Sequence, residues 1–381
     1  MRLTAARLTC IAYSIAISGS LTKTIGAPSS KAPENKLRDG GGPDLRGPVD
    51  YRGGWANGFR LEAAMVLSDD NRLAQPLWID EPGALERLGD LLSSGVVTED
   101  EAAIVQRFIE RGYLVVDLPG VSEDVDGTLS DVEQLWREPP SNLLAAGPVR
   151  EGRPFPMSEI ASQIVRGPGV RVLDIHSHSD AARRLYLNST LHRLVGIIFG
   201  QPPVATQTIF FEYGSTQSLH RDPWYVNHTP RTHLLAAWIA LEDISPDSGP
   251  LTLSPGSHRL PFYRFGTDDI VFHDPRVTTQ EKWAAIDQLD EQVKPLGIIP
   301  FLGKRGQALI WHGSLAHGGS SVEDPAMTRK SLVVHFGCAA THPRRGASFD
   351  GQVRYTEDKY FAPNGESGFR NPVAEALVEA K

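Results

Sequence analysis

The sequence predicts an α+β fold in which helices come first and a barrel of two β-sheets follows. Between residues 83 and 112, and again between 181 and 199, apolar residues recur at helical spacing near capping signals, so these two stretches are predicted to be helical. From Val204 onward, short apolar runs are separated by turn residues, which is typical of strands. Helices followed by many short strands favour an α+β domain with a double-sheet barrel.

The best marked helix begins at Thr98. Thr98 and Glu101 form a capping box, and Gly112 suits the end of the helix. A strand is predicted directly after it, at 113–116. The other predicted helices are 83–93, 181–187, 190–199 and a charged amphipathic helix at 278–293. Further strands are predicted at 171–175, 206–213, 234–242, 251–253, 307–311 and 330–337.

Composition narrows the function classes. The chain has 381 residues, 40% of them apolar, which suffices for one large domain with appendages. A net charge of −8 without a basic stripe argues against nucleic acid as a partner and leaves a small molecule as the expected one. Only Cys10 and Cys338 are present, so a disulfide framework is excluded and an intracellular, cytoplasmic location is expected. No stretch is long and apolar enough for a membrane span.

The N-terminal residues 1–58 are predicted to be a leader or a disordered segment. The first acidic residue is Glu34, and the run 39–43 (Asp-Gly-Gly-Gly-Pro) is typical of a linker. A signal peptide and a transit peptide both stay open as interpretations of the leader. Residues 59–381 are predicted to form a single domain.

The most informative pair is His220 and Asp222. In an extended strand, residues two apart point to the same face, so one imidazole and one carboxylate would face the same point. Two histidines and one carboxylate are the ligand set of non-haem Fe(II) oxygenases. A third ligand is therefore expected from a distant strand.

His317 is the preferred third ligand. It follows the apolar strand 307–311 and is followed by Gly318 and Gly319, small residues that allow a close approach to a metal. The alternative third ligands are His258, His273, His312, His335 and His342, of which His312 is the strongest.

Arg329 is predicted to bind an anion. It lies twelve positions after His317, a distance at which a hairpin brings the next strand back beside the ligand. Arg329, Ser331 and Val333 alternate with Lys330 and so share one strand face. A guanidinium on an inward face can hold a carboxylate through two hydrogen bonds, and the Ser331 hydroxyl can add another donor.

These motifs, taken in order along the chain, resemble the phytanoyl-CoA dioxygenase family over about residues 96–340. They are His220-x-Asp222, the strand 238–243, Pro255-Gly256-Ser257-His258, His317-Gly318-Gly319-Ser320 and Arg329-x-Ser331-Leu332. The resemblance implies a jelly-roll core (a double-stranded β-helix, cupin-like) at about residues 204–340, flanked by helices. It also implies an Fe(II)- and 2-oxoglutarate-dependent dioxygenase that uses O2.

The resemblance assigns roles to individual residues. Iron would be held by His220, Asp222 and His317. Arg329 and Ser331 would hold the far carboxylate of 2-oxoglutarate. Gln217 and Trp238 are expected in the same pocket. Related halogenating enzymes carry Gly or Ala in place of the acid, so Asp222 favours hydroxylation of an aliphatic carbon, with release of succinate and CO2.

Two other functions stay open. One is a non-catalytic jelly-roll module that keeps the metal ligands for structure or binding. The other is a cupin-like enzyme that uses another metal without 2-oxoglutarate. Arg329 has no role in the second of these. Charge substitution at Arg329 therefore discriminates, because only a 2-oxoglutarate enzyme would lose affinity for its cosubstrate. The sequence does not name the small or lipid-like substrate.

Overall fold

The computed structural model describes most of the chain after residue 75. The described residues are 76–150, 154–162, 166–201, 203–226, 228, 230–266, 270, 272, 274, 276–338, 348–349 and 352–353. The predicted N-terminal segment and its boundary at residue 59 lie outside them. So do His273 and His342, two of the rival ligands.

The described chain is a mixture of helices and antiparallel sheets, as predicted. Its helices are α1 (Ala84–Ser93), α2 (Glu99–Arg111), α3 (Ser122–Arg137), α4 (Asp180–Tyr186), α5 (Ser189–Phe199) and α6 (Thr279–Val293). Among the described residues, no helix has the length and hydropathy needed to cross a bilayer.

The strands form one large sheet, one small sheet and a separate two-stranded pair. Their bounds are β1 Tyr113–Asp117, β2 Leu144–Ala146, β3 Pro154–Pro156, β4 Arg171–Leu173, β5 Pro203–Phe211, β6 Leu235–Ala240, β7 Leu251–Leu253, β8 Ile299–Phe301, β9 Gln307–His312, β10 His317–Gly319, β11 Ser331–Cys338, β12 Ser348–Phe349 and β13 Gln352–Val353. The large sheet has the order β1-β9-β6-β11-β5-β4-β2-β3, and the small sheet the order β10-β7-β8. All the pairings are antiparallel.

The two faces of the large sheet have different partners. In β11, Leu332 and Val334 belong to the apolar cluster shared with the helices. Val333, which points the other way, belongs to a second cluster together with Leu253 and Phe301 of the small sheet. The two sheets therefore pack face to face, with helices covering the outer face of the large one.

Local signals explain where α2 begins and ends. The Thr98 hydroxyl accepts from the Glu101 amide, and the Glu101 carboxylate accepts from the Thr98 amide, so the predicted capping box is present. Gly112 ends the helix at φ +77°, which favours glycine. Its carbonyl then accepts from the His312 amide, which ties the end of the helix to β9.

One topological expectation is wrong. The segment between His317 and Arg329 does not form a hairpin, because β10 pairs with β7 in the small sheet while β11 pairs with β5 and β6 in the large one. The intervening residues carry the chain from one sheet to the other. Arg329 therefore lies just before β11 in the large sheet and not on a strand adjacent to β10.

Candidate metal centre

His220 and His317 lie opposite each other on two antiparallel segments. The His220 amide donates to the His317 carbonyl at 2.9 Å, and the His317 amide donates to the His220 carbonyl at 3.0 Å. This reciprocal pair sets the two imidazole centroids 4.3 Å apart. The backbone thus brings together two histidines that are far apart in sequence.

Asp222 reaches the same point through one extended residue. Arg221 has φ −122° and ψ 138°, so the residues on either side of it project to the same side. A 3-10 turn, Asp222–Trp224, then begins, and the Asp222 amide donates to the Gly313 carbonyl at 3.0 Å. The predicted convergence is present, although it depends on a single bridge and a turn and not on a continuous strand.

Hydrogen bonds to the backbone fix which nitrogen of each ring carries the proton. His220 Nδ1 donates to the Ser218 carbonyl and His317 Nδ1 donates to the Leu315 carbonyl, both at 2.9 Å. Each Nε2 therefore keeps its lone pair in the neutral ring. Ligand atoms of the two rings and of Asp222 all lie within 4.8 Å of one another. The three side chains can hold a metal ion.

The electrostatics suit a cation. Burial, together with the nearby His317, lowers the pKa of His220 to about 3. Burial acts to raise the pKa of Asp222, but the His317 and His335 imidazoles hold it well below its usual range. Burial acts to lower the pKa of His317, and the Asp222 carboxylate nevertheless raises it. His220 is thus neutral beside an ionised Asp222, the state that binds a divalent metal, whereas a metal at His317 has to displace the proton that the Asp222 carboxylate favours.

Arg329 is buried with its positive charge and has no counter-ion among the described residues. Its side chain is 1% exposed, and burial lowers its pKa to about 10. Nη1 donates to the Gly249 carbonyl at 3.2 Å, and the guanidinium lies 5.5 Å from the Phe211 ring and 5.7 Å from the Trp238 ring. One carbonyl and two rings leave most of its five N–H donors available.

Each of the four residues predicted to contact the cosubstrate has a buried polar atom that finds no hydrogen-bond partner among the described residues. These atoms are Arg329 Nε, Ser331 Oγ, Gln217 Nε2 and Trp238 Nε1. Ser331 shares its strand face with Val333 and thus faces the space between the sheets, where Trp238 also lies. Buried polar groups are rarely left unpaired, so these atoms indicate a polar ligand.

The two glycines after His317 allow two chain segments to pack closely. A Cβ on Gly318 would lie 2.8 Å from the Gln217 carbonyl oxygen, and a Cβ on Gly319 would lie 2.4 Å from Ser215 Oγ. This packing holds Gln217 beside His317, since the Gly319 amide donates to the Gln217 carbonyl at 2.8 Å.

The described rivals of His317 lie in two places. His335 is near the triad, with Nε2 3.6 Å from Asp222 Oδ1, which is longer than a hydrogen bond. His258 and His312 lie together on the helix side of the large sheet, near Asp80, with ring centroids 5.6 Å apart. Neither ring contributes to the triad.

Trp311 is a residue that the sequence reasoning missed. Its indole N–H donates to Asp222 Oδ2 at 2.8 Å. The sequence places Trp311 at the end of a strand, but the contact depends on the register of three strands and on the turn at Asp222. A tryptophan on an apolar strand gives no signal of such a contact, because it is usually a core residue.

Comparison with known proteins decides the family. The family model described as phytanoyl-CoA dioxygenase (PhyH) matches residues 108–330, more than half of the chain. The chain belongs to the phytanoyl-CoA dioxygenase family. This confirms the resemblance seen in the motifs.

Individual relatives are distant. The chain is 24% identical over 176 residues to a phytanoyl-CoA dioxygenase domain-containing protein 1 homolog of Caenorhabditis briggsae, and the match covers 44% of this chain and 57% of that protein. It is 24% identical over 270 residues to an ectoine dioxygenase of Stutzerimonas stutzeri, covering 68% and 83%. The crystal structure of EctD from S. alaskensis with 2-oxoglutarate and 5-hydroxyectoine matches at 19% identity and TM-score 0.46, covering 65% and 78%.

Proposed function

We propose that the protein is an Fe(II)- and 2-oxoglutarate-dependent dioxygenase that hydroxylates an aliphatic carbon of a small or lipid-like molecule. Succinate and CO2 are the co-products. The family supports the reaction class. Two antiparallel sheets packed face to face support a jelly-roll core at about residues 204–340. The intracellular location expected from the cysteine count stays a prediction.

A single observation carries the cosubstrate part of the proposal. Arg329 is a fully buried guanidinium without a carboxylate among the described residues, and it lies in the same space between the sheets as Trp238. A buried charge without a partner is costly, so a chain keeps one where a ligand supplies the opposite charge. A dicarboxylate with one end at the triad and the other at Arg329 meets that requirement.

Each residue then has a stated task. His220 and His317, through Nε2, and Asp222, through its carboxylate, would hold Fe(II), which supplies oxygen-activating redox chemistry when bound. Arg329 would bind the far carboxylate of 2-oxoglutarate, with Ser331 Oγ as an added donor. Gln217 Nε2 and Trp238 Nε1 are further donors whose hydrogen bonds a polar cosubstrate would complete.

The two alternatives explain less of the site. A binding module that keeps the triad for structure gives no reason for the buried Arg329 guanidinium, whose Nε has no hydrogen-bond partner among the described residues. A cupin-like enzyme without an oxoacid leaves Arg329 and Ser331 without a role. The proposal is therefore preferred because it gives a role both to the triad and to Arg329 with Ser331.

The test is an anaerobic titration. Apoprotein receives Fe(II) and then 2-oxoglutarate, and the visible metal-to-ligand charge-transfer band of the chelate is followed. We expect the band in the native protein, and we expect Arg329→Gln to need about 10- to 100-fold more 2-oxoglutarate, because charged hydrogen bonds contribute about 1.5–3 kcal/mol. Arg193→Gln is the control, since Arg193 pairs with Glu101 on the helical side.

Two results would count against the proposal. If the native protein binds iron but develops no band, 2-oxoglutarate is not its cosubstrate. If Arg329→Gln needs the same 2-oxoglutarate concentration as the native protein and Arg193→Gln, the far carboxylate binds elsewhere. The Arg329 guanidinium then has another role.

A further inference from the structure

Trp311 makes a direct contact with the carboxylate of the triad. Its indole Nε1 lies 2.8 Å from Asp222 Oδ2, and both side chains are buried, at 3% and 5% exposure. A hydrogen bond from a neutral donor to a carboxylate in a buried site is strong and directional. It therefore constrains the rotation of the Asp222 carboxyl group.

Strand register explains how the indole reaches Asp222. Ala236 of β6 lies between Trp311 of β9 and His335 of β11, so the three residues form one row across the large sheet. The Asp222 carboxylate lies between the two rings, with Oδ2 on the indole N–H and Oδ1 3.6 Å from His335 Nε2. The methyl group of Ala236 is small enough to leave room between them.

The other carboxylate oxygen faces the triad. Asp222 Oδ1 lies 3.4 Å from His317 Nε2, the nitrogen that carries the free lone pair. One oxygen of Asp222 is thus directed at the candidate metal position, while the second is occupied by the indole.

We propose that Trp311 is a positioning residue that fixes Asp222 as a one-oxygen metal ligand. The inference rests on the metal site of the proposed function. A carboxylate that chelated through both oxygens would occupy one more coordination position, which an oxygenase needs for its cosubstrate and O2. By holding Oδ2, the indole N–H keeps that position open and orients the ligand that remains.

The test measures metal binding by the apoprotein, without turnover. Mn(II) is the probe, and free Mn(II) is read from its electron paramagnetic resonance signal. We expect Trp311→Phe to weaken Mn(II) binding by about 10- to 100-fold, the usual effect of removing a partner of a metal ligand. The control is Trp136→Phe, because Trp136 is also buried but its indole nitrogen has no partner and it lies in α3.

A second variant separates the hydrogen bond from packing. The Trp311 ring also lies 4.9 Å from the His317 ring, and phenylalanine would disturb that contact. Replacing Trp311 with 3-benzothienylalanine keeps the shape and exchanges only the N–H for sulfur. We expect this variant to bind Mn(II) as weakly as Trp311→Phe while its metal-free thermal unfolding stays close to native. If Trp311→Phe fails to fold, the benzothienylalanine variant alone still tests the positioning role of Trp311.

The outcomes distinguish this inference from the proposed function. Native-like Mn(II) binding by the benzothienyl variant overturns the positioning role and leaves the metal site intact. Absence of Mn(II) binding by the native protein, or equal binding by His220→Ala, overturns the metal site and this inference with it. Weakened binding in the benzothienyl variant with native binding in Trp136→Phe supports it.

Discussion

Two groups in the described part of the chain each contain two histidines and one aspartate, and of these two groups the first alone is built for a metal. In the first group, His220 and His317 donate through Nδ1 to backbone carbonyls, so their Nε2 atoms converge with Asp222. The second group is Asp80, His258 and His312. These three residues line a cavity of about 670 Å³, so space for an ion is not what separates the groups.

The two groups differ in the hydrogen bonds that their histidine ring nitrogens make. In the second group, His312 Nδ1 accepts from the Ser314 amide at 2.9 Å, so Nε2 carries the proton and faces Asp80 Oδ2 at 3.1 Å. His258 Nε2 donates to the Ile109 carbonyl at 3.2 Å. His312 therefore has both ring nitrogens bonded to protein groups, whereas His258 Nδ1 keeps its lone pair and has no hydrogen-bond partner among the described residues. The comparison teaches that hydrogen bonds outside the ligand set, more than residue types, decide which imidazoles can bind a metal.

The largest expected effect separates the groups by metal binding. We expect His317→Ala to weaken Mn(II) binding by more than about 100-fold, because loss of a ligand must exceed the 10- to 100-fold effect of losing a partner of a ligand. His312→Ala is the matched control and should bind Mn(II) like the native protein. Isothermal titration of both apoproteins measures this, and weak binding by His312→Ala would remove the distinction.

A second prediction concerns the packing that holds His258. A Cβ on Gly112 would lie 2.4 Å from His258 Nδ1, and Gly112 has φ +77°. We expect Gly112→Ala to lower the free energy of unfolding by about 2–5 kcal/mol, the sum of left-handed strain and overpacking. Chemical denaturation measures it.

The control for Gly112 is Gly120→Ala. Gly120 has φ +71° but has open space around its missing Cβ, so we expect a loss of only about 1–2 kcal/mol from the backbone strain. Equal losses in the two variants would show that the contact with His258 is unimportant.

Sequence reasoning predicted most of the fold because its signals are local. The capping box at Thr98 and the strand Leu251–Leu253 are present as predicted. The helix Ser122–Arg137 was missed, although Val125 and Val132 follow helical spacing, because Gly127 and several Ser and Asp residues lower its intrinsic propensity. A Cβ on Gly127 would lie 2.8 Å from Ala181 Cβ, so that glycine allows α3 and α4 to pack closely.

The site was only partly predictable for a physical reason. The order of motifs along the chain predicts His220, Asp222 and His317, and the structure brings them together. The contact of Trp311 with Asp222 depends on strand register, and the exclusion of His312 depends on which nitrogen accepts a hydrogen bond. Neither the strand register nor the hydrogen bonding of the His312 ring can be predicted from a local sequence pattern.

A third prediction tests the second group as a structural element. We expect Asp80→Ala to lower the free energy of unfolding by about 1–3 kcal/mol, because the buried His312 Nε2–H loses its acceptor. Mn(II) affinity should stay native. Glu81→Ala is the control, since Glu81 forms only an exposed pair with Arg87 at 3.6 Å, worth about 0–1 kcal/mol. A matching loss in Glu81→Ala, or weaker Mn(II) binding in Asp80→Ala, would contradict this interpretation.

A last prediction concerns the pH dependence of stability. Burial, together with the nearby His312, lowers the pKa of His258 from its ordinary 6.5 to about 3. Between these values the unfolded chain binds a proton that the folded chain does not, so the free energy of unfolding falls as the pH falls from 6.5 toward 3. Above pH 6.5 the contribution of the neutral ring is fully present.

His258→Gln removes the proton that the unfolded chain takes up at His258 on unfolding. Between pH 4 and 6, unfolding of the metal-free native protein should lose about 1.4 kcal/mol more per pH unit than that of the variant. Other buried histidines, such as His192 and His220, titrate in both proteins and cancel in the difference. Parallel stability curves for the two proteins would mean that His258 accepts a proton in the folded state. The second group would then differ from the first, in which burial keeps the His220 ring neutral and its lone pair available to a metal.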